Sequence, residues 1–225
     1  MTDAHCHVSC GDASVREFLI GRDFFGVHPW ECLGGLGGLE GLGGLEGLGG
    51  LGGVLAARRG VGVGEIGLDR LKERDISPLM RKTFEVQLEL AARYARPVVL
   101  HGAKCWGEVV KACQPYVGRI PAFLFHGFSR SDGLIPDIVK LNGFVSVGPA
   151  VLNDHAVNYR KLVQKIPADR LLVETDRTVE NAGDCPPVGA VAAKLAELRG
   201  LSLAELEALV DANADRFVRT LKEAV

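Results

Sequence analysis

Seven short apolar segments recur along this chain, and most of them end in a histidine or an acid. They are predicted strands, at Thr2–Val8, Phe24–His28, Gly62–Gly67, Pro97–His101, Ala122–His126, Phe144–Val147 and Leu171–Glu174. Segments with helical periodicity lie between them; in residues 80–95, for example, apolar side chains recur four positions apart. Strands that alternate with helices are typical of a parallel sheet with helical crossovers. The sequence therefore predicts an α/β fold.

The ends of these predicted strands carry the polar residues that constrain the fold most. They are His5 with His7, His28, Glu65, His101, His126 and Asp176. In a barrel of parallel strands, the carboxyl ends meet at one mouth, where active sites lie. His5 and His7 lie on one face of their strand, because side chains alternate between faces, and two such imidazoles can bind one metal ion. We therefore predict a TIM-type (β/α) barrel with a metal centre at its mouth.

Length and composition limit the alternatives. At 225 residues the chain is slightly short for a barrel, which typically needs about 250 residues, and we expect one domain over 1–225. A net charge of −2 does not favour sequence-independent binding to long duplex nucleic acid. The sequence has no leader and no long apolar span, and its six cysteines contain no C-x-x-C pair. These features predict a cytoplasmic protein with reduced thiols and no membrane segment.

Residues 33–53 form a repeat of leucine and glycine. Leucine occupies every third position from 33 to 51, and the segment holds seven leucines and twelve glycines. Glycine costs a helix roughly 1 kcal/mol relative to alanine, and a period of three drifts around an α-helix. We predict a surface crossover that lays leucines on the barrel; a role in binding or assembly is the alternative.

Several motifs occur in the order typical of one known family. They are D-A-H-C-H (3–7), G-V-H-P-W (26–30), G-E-I-G-L-D (64–69), Q-L-E-L-A (87–91), P-V-V-L-H (97–101), F-H-G-F-S-R-S (125–131), L-L-V-E-T-D (171–176) and N-A-D-R-F (213–217). With these motifs the chain resembles the TatD-related deoxyribonucleases, which belong to the metal-dependent amidohydrolase-like barrels. The resemblance extends from end to end.

The resemblance implies a centre with two divalent ions. His5, His7 and Asp176 would bind the first ion, His101 and His126 the second, and Glu65 would bridge them. Two cations about 3.5–4 Å apart can bind opposing substrate oxygens and activate water. Mixed nitrogen and oxygen ligands suit Zn, Mn, Fe or Co, and suit Mg less well.

The resemblance also suggests three residues that contact substrate. His28 matches a position near the substrate phosphate in this family. Lys104 stands where the family more often has arginine, so it would meet a phosphate as a point charge. Arg177 follows Asp176 where relatives have small residues and proline, and it would recruit phosphate or narrow the pocket. Glu174 is expected to be a partner of the centre rather than a ligand.

The chain departs from the family between His7 and His28. Relatives usually place a helix, a strand and a second helix there, and this segment is too short for all three. We therefore expect seven strands and a barrel that is distorted or short by one βα unit.

The resulting prediction is an enzyme that hydrolyses phosphodiester bonds at DNA ends with metal-activated water. Glu65 and Asp176 would be its catalytic carboxylates, Asp176 orienting or deprotonating the water. One alternative is a two-metal hydrolase of a small phosphoester, amide or lactone. Another is a metal-bound scaffold without activity, although a scaffold needs no complete ligand set. We expect DNA or a small phosphoester as substrate, and a monomer.

Overall fold

Eight parallel strands form the frame of this protein in the computed structural model, which describes residues 1–33, 45–129 and 132–222. The strands are β1 (Thr2–Cys6), β2 (Arg16–Leu19), β3 (Phe24–Phe25), β4 (Gly62–Asp69), β5 (Val98–Ala103), β6 (Phe123–Phe125), β7 (Gly143–Val147) and β8 (Leu171–Val173). β1 pairs with β2, and β3 to β8 form a second sheet in chain order, all in parallel. The architecture is the predicted TIM-type barrel.

The two sheets are joined by a few isolated contacts rather than by ladders of hydrogen bonds. A single bridge between Ile20 and Phe24 connects β2 to β3. On the other side, the amide of Asp176 donates to the carbonyl of His5 at 3.0 Å, and the amide of Thr175 donates to Asp3 Oδ1 at 3.0 Å. The barrel is therefore distorted at its first two strands.

The prediction of seven strands was wrong, because residues 16–19 form β2. In this segment two polar residues precede two apolar ones, so it lacks the alternation that indicates a strand. What the chain lacks here is helix: residues 7–15 and 20–23 connect these strands through turns and irregular backbone. Between His7 and His28 the structure therefore has strands but no helix.

The helices lie between the later strands and after the last one. They are α1 (Leu45–Ala57), α2 (Pro78–Arg93), α3 (Trp106–Cys113), α4 (Ile135–Lys140), α5 (Val157–Lys165), α6 (Val188–Arg199), α7 (Leu203–Phe217) and α8 (Arg219–Lys222). A capping box formed by Ser202 and Glu205 begins α7. Helix α2 begins at a Ser77 cap followed by Pro78, which suits the first helical position.

Part of the leucine–glycine repeat is helical, contrary to the argument from glycine cost. Residues 34–44 lie outside the described residues, but 45–57 form α1. Leu48, Leu51 and Leu55 are buried on one face of α1. Burying a leucine contributes about 1.5–3 kcal/mol, so three of them offset a cost of roughly 1 kcal/mol for each of five glycines. Arg96 also donates hydrogen bonds to the carbonyls of residues 55, 58 and 59 at the end of α1.

The barrel interior has an apolar end and a polar end. A cluster that includes Phe18, Phe24 and Phe144 fills the end where the strands begin. Phe217 of α7 joins it, its ring stacked on that of Phe24 at 5.7 Å between centroids. The last turn of α7 thus closes this end of the barrel, and residues 223–225 lie outside the described range. The opposite end is left to the polar side chains.

Two further observations concern the chain as a whole. Among the described helices, none has the length and apolar character needed to span a membrane. All six cysteines are free thiols.

Candidate metal centre

Glu65 lies at the middle of the polar end, and its side chain is only 4% exposed. The oxygen Oε1 is 2.7 Å from His101 Nδ1 and 2.7 Å from His126 Nε2. Those two ring nitrogens are 3.4 Å from each other. His28 Nε2 lies 3.4 Å from the same oxygen. One carboxylate oxygen thus faces imidazoles that come from the ends of three different strands.

The second oxygen of Glu65 faces a different set of side chains. Oε2 lies 3.4 Å from His5 Nε2 and 3.3 Å from His7 Nε2. Asp176 Oδ1 lies 3.5 Å from the same nitrogen of His5 and 3.7 Å from that of His7. The two oxygens of one buried carboxylate therefore divide the polar residues into two groups.

Strand β4 approaches β5 closely next to Glu65 because a glycine lies two residues further along, at position 67. Gly67 has φ +155°, and a Cβ at this position would lie 1.9 Å from the carbonyl oxygen of His101. Only glycine permits this approach.

Buried Gln87 of α2 fixes the segment that carries His28. Its Oε1 accepts a hydrogen bond from the amide of Val27 at 2.7 Å, and its Nε2 donates to the carbonyl of Val27 at 3.1 Å. The Q-L-E-L-A motif thus acts on the centre through the backbone next to His28.

Asp176 reaches the centre from a left-handed backbone, with φ +50°. Its amide donates to the carbonyl of His5, and its own carbonyl accepts from Asn181 Nδ2 at 3.2 Å. Its side chain is about half exposed. It is therefore held against β1 while it remains open to the mouth.

The charges at the centre are strongly coupled. Burial acts to lower the pKa of His5, but the carboxylates of Asp176 and Glu65 outweigh it and raise the pKa to about 9. Burial acts to raise the pKa of Glu65, but charge on His126 and hydrogen bonds from His101 and His126 hold it well below its ordinary value. Burial likewise acts on Asp176, whose pKa is nevertheless lowered by His5 and His126. The carboxylates therefore favour the protonated form of the His5 ring.

The residues present fit a divalent metal centre. His5 is fully buried, and within the described chain neither of its ring nitrogens has a hydrogen-bond partner. Its Nε2 lies 3.4 Å from Glu65 Oε2 and 3.5 Å from Asp176 Oδ1, without hydrogen-bond geometry to either, and a cation bound between these groups would satisfy all three. Ligand atoms of His5, His7 and Glu65 lie within 4.8 Å of one another, as do those of His28, Glu65 and His101, and those of His5, His126 and Asp176. Imidazole nitrogens and carboxylate oxygens are ligands for Zn, Mn, Fe and Co.

Three further buried carboxylates contact residues at the centre or next to it. Glu174 accepts from the amide of Gly127 at 2.7 Å and from Ser146 Oγ, and its Oε1 is 3.7 Å from His126 Nδ1. Asp3 accepts from the hydroxyl of Thr175 at 2.6 Å. The third is Asp69, whose Oδ2 accepts from His101 Nε2 at 2.7 Å.

The role of Asp69 was not predicted from the sequence. A signal for it existed, because 65, 67 and 69 lie on the same face of β4. Asp69 also ends the G-E-I-G-L-D motif. Glu174, in contrast, was predicted as a partner of the centre and lies beside His126.

Two clefts extend from the centre. One, of about 830 Å³, is lined by His101, His126, Asp176 and Lys104. The other, of about 1120 Å³, is lined by Asp176, Tyr159 and Lys161, among others. Both contact Asp176, so the two clefts meet at the centre.

The structure brings all six predicted ligands and His28 together at one end of the barrel. Lys104 is exposed in the smaller cleft. Arg177 lies beside Asp176 but does not line either cleft, and its carbonyl accepts from the amides of His7 and Val8. Trp106 is buried against Phe125 and Phe128. The metal and substrate roles of these residues stay predictions.

Comparison with known proteins agrees with this architecture. Among solved structures, the chain is similar to that of YjjV, a TatD homologue from Escherichia coli K12, with a TM-score of 0.71 and 24% sequence identity. The superposition covers 92% of this chain and 78% of that one. A TatD-family hydrolase from Entamoeba histolytica gives a TM-score of 0.67 at 17% identity, covering 90% of this chain and 75% of that one. These likenesses show the fold.

Curated sequences are similar over most of the chain. The uncharacterized metal-dependent hydrolase YabD of Bacillus subtilis is 27% identical over 73% of this chain and 67% of its own length. The 3'-5' ssDNA/RNA exonuclease TatD of Klebsiella pneumoniae is 31% identical over 72% of this chain. The match spans 64% of the length of that exonuclease, which is less than two thirds.

A family model described as "TatD related DNase" matches residues 16–219. This match covers nearly all of β2 to α8 and most of the centre. The chain belongs to the TatD-related DNase family.

Proposed function

We propose that this protein is a divalent-metal-dependent hydrolase that cleaves phosphodiester bonds at the ends of single-stranded nucleic acid. The observation that carries the proposal is the position of Glu65, whose two buried oxygens face two separate groups of imidazoles. This is the arrangement expected of a carboxylate that bridges two cations. His5, His7 and Asp176 would hold one ion, and His101 and His126 the other.

Two divalent ions bound here would supply Lewis acidity toward the phosphate and lower the pKa of a water molecule. The remaining chemistry belongs to the side chains. Asp176 reaches both clefts and is about half exposed, so it can accept a proton from the attacking water.

His28 is suited to bind the substrate phosphate rather than a metal ion. Its Nδ1 accepts a hydrogen bond from the amide of Trp30 at 3.2 Å, so the neutral ring carries its proton on Nε2. That nitrogen points toward the centre, 3.4 Å from Glu65 Oε1. A ring nitrogen that bears a proton can donate to a phosphate oxygen, but it cannot ligate a metal ion.

The clefts favour a chain-like substrate over a small ester. Pockets for drug-sized ligands measure about 300–1000 Å³. Here 830 and 1120 Å³ meet at Asp176, which leaves room for more than one nucleotide. Lys104 in one cleft and Lys161 in the other are exposed cations that can contact successive phosphates. The name of the Klebsiella relative, a 3'-5' ssDNA/RNA exonuclease, supports the same substrate class.

We also propose that residues 1–225 act as one domain. The residues of the centre come from β1 to the end of β8, and α7 reaches back to β1 through a hydrogen bond from Thr2 Oγ1 to Asp211.

An activity panel tests the proposed function. The protein is loaded with Mn²⁺, Zn²⁺ or Mg²⁺ and assayed on 3'-labelled and 5'-labelled single-stranded DNA, p-nitrophenyl phosphate and a simple lactone. We expect about two bound ions per chain and stepwise shortening of the DNA. Glu65→Ala should abolish turnover and lower the metal content, whereas Glu73→Ala, an exposed acid, should change neither.

Each alternative has its own outcome in this panel. Fast cleavage of the small ester or lactone without DNA shortening would replace the nuclease proposal with a small-molecule hydrolase. Bound metal without turnover on any substrate would favour the scaffold. Absence of bound metal in the wild-type protein would contradict the metal centre itself.

A further inference from the structure

Asp69 is a fully buried carboxylate that has no place in the ligand set. Its Oδ2 accepts hydrogen bonds from His101 Nε2 at 2.7 Å and from the indole Nε1 of Trp30 at 2.9 Å. Its Oδ1 accepts from the amides of Leu71 and Lys72. Both oxygens are thus surrounded by N–H donors, and one of those donors belongs to a residue of the centre.

We infer that Asp69 is a positioning residue, which selects the ring nitrogen that His101 presents to the metal centre. This inference rests on the metal centre proposed above. Because Asp69 accepts only, His101 must carry a proton on Nε2. Nδ1 lies 2.7 Å from Glu65 Oε1 and 3.4 Å from His126 Nε2, so without a metal ion it too can donate; a cation bound here would displace that proton and leave the Nδ1 lone pair toward the centre. Carboxylates that bind metal-ligating histidines in this way fix the tautomer and the ring orientation.

The neighbouring histidine shows that the selection is local. The rings of His28 and His101 are 4.7 Å apart, yet their hydrogen bonds favour opposite roles. The amide of Trp30 makes Nε2 of His28 a donor toward the centre, whereas Asp69 makes Nδ1 of His101 an acceptor. Trp30 contributes to both arrangements, since its amide binds His28 and its indole binds Asp69.

Asp69→Asn is the informative change because it keeps the shape of the side chain and replaces one acceptor with a donor. An amide group at the Oδ1 position would face two backbone N–H groups that cannot adapt. An amide group at the Oδ2 position would face only one donor that cannot adapt, the indole N–H of Trp30, together with His101, which can adapt by moving its proton to Nδ1. That tautomer cannot ligate through Nδ1.

The test combines NMR with metal titration. Long-range ¹H–¹⁵N spectra of the zinc-loaded wild-type protein should show His101 protonated on Nε2 and not on Nδ1. In Asp69→Asn, we expect the Nδ1-protonated form and zinc affinity weaker by about 10–100-fold, measured by competition with a chelator. Asp75→Asn, which removes an exposed charge from the same loop, should change neither readout.

The outcomes separate this inference from the proposed function. Nδ1 protonation of His101 in the zinc-loaded wild type would overturn it without any variant, as would an unchanged tautomer and affinity in Asp69→Asn. Trp30→Phe removes only the other donor to Oδ2 and should leave the His101 spectrum intact; a shift like that of Asp69→Asn would mean that Asp69 acts only by ordering the loop. A wild-type protein that binds no zinc would fail the metal centre instead.

Discussion

At the scale of single residues, the roles proposed for His28 and His101 differ because the second ring nitrogen of each has a different partner. His28 and His101 are chemically identical side chains in contact with the same carboxylate oxygen. A backbone amide binds the far nitrogen of one, and a carboxylate binds the far nitrogen of the other. This difference makes His28 a donor toward the mouth and His101 a candidate ligand.

Replacing His28 tests this division of roles. In His28→Ala we expect the metal content to remain at the wild-type value. The kcat/KM for single-stranded DNA should fall by roughly 10–100-fold, since a hydrogen bond to a charged group contributes about 1.5–3 kcal/mol. Metal analysis and steady-state kinetics check both statements. Loss of one ion per chain would instead assign His28 to the ligands.

Metal binding at this centre should release protons at neutral pH. In the metal-free protein, burial acts to lower the pKa of His5, but Asp176 and Glu65 raise it to about 9, so the ring is protonated at pH 7. A cation requires the neutral ring and must displace that proton. Apparent affinity should therefore increase with pH up to about 9, where the proton is already lost.

Zinc titration calorimetry in two buffers of different ionisation enthalpy measures this release. We expect about one proton or more per chain at pH 7 and a smaller number above pH 9. In Glu65→Ala we expect little heat from zinc binding and little heat from protonation of the buffer. Zinc binding with no proton uptake by the buffer at pH 7 would contradict the coupling between His5 and the two carboxylates.

At the scale of elements, glycine has opposite consequences in a helix and in a strand. In α1, the Cβ that an alanine would add at Gly50 or Gly53 meets nothing within 4 Å, and both positions are exposed. In β4, a Cβ at Gly67 would collide with the carbonyl of His101. The first glycines only weaken their helix, whereas the second permits two strands to approach.

Alanine substitution should separate these two cases. Gly50→Ala and Gly53→Ala should each raise the free energy of unfolding by about 0.5–1 kcal/mol, because alanine loses less backbone entropy on forming a helix. Gly67→Ala should be strongly destabilising. Urea unfolding measures all three. A loss of stability in both α1 variants would argue that 45–57 is not helical in solution.

At the scale of the whole molecule, the side chains that stabilise the fold and those of the metal centre lie at opposite ends of the barrel. Phe217 closes one end against Phe18, Phe24 and Phe144, and the imidazoles occupy the other end. Asn213 fixes α7 to the start of β8 by donating to the carbonyls of Ala168 and Leu171. The N-A-D-R-F motif is therefore structural rather than catalytic.

Removing the Phe217 ring should lower stability without changing the metal centre. Phe217→Ala should cost about 3–5 kcal/mol of unfolding free energy, the range for a buried aromatic side chain. Metal content at low temperature should stay at the wild-type value. Leu203→Ala, a half-exposed leucine on the same helix, should change stability by less than about 0.5 kcal/mol. Loss of metal in folded Phe217→Ala would show that the two ends are coupled.

Most strands, and the polar side chains at their ends, could be predicted from local sequence pattern. The predicted strands that end in His101 and His126 are apolar runs with a polar terminus, and such runs are recognisable one at a time. Strand β2 was missed because its four residues show no period. The helix in the glycine repeat was missed because its stability comes from burial of leucines and from Arg96, which is about 40 positions away.

The sequence by itself determined the fold class, the family, and which side chains are available at the strand ends, since these depend on residue type, order and short-range periodicity. Only the tertiary structure decided how those side chains are divided around Glu65, which nitrogen of each imidazole faces the centre, and that Asp69 lies behind His101. The physical reason is that hydrogen bonds between buried groups join residues 30 to 170 positions apart, and no local pattern records which donor meets which acceptor.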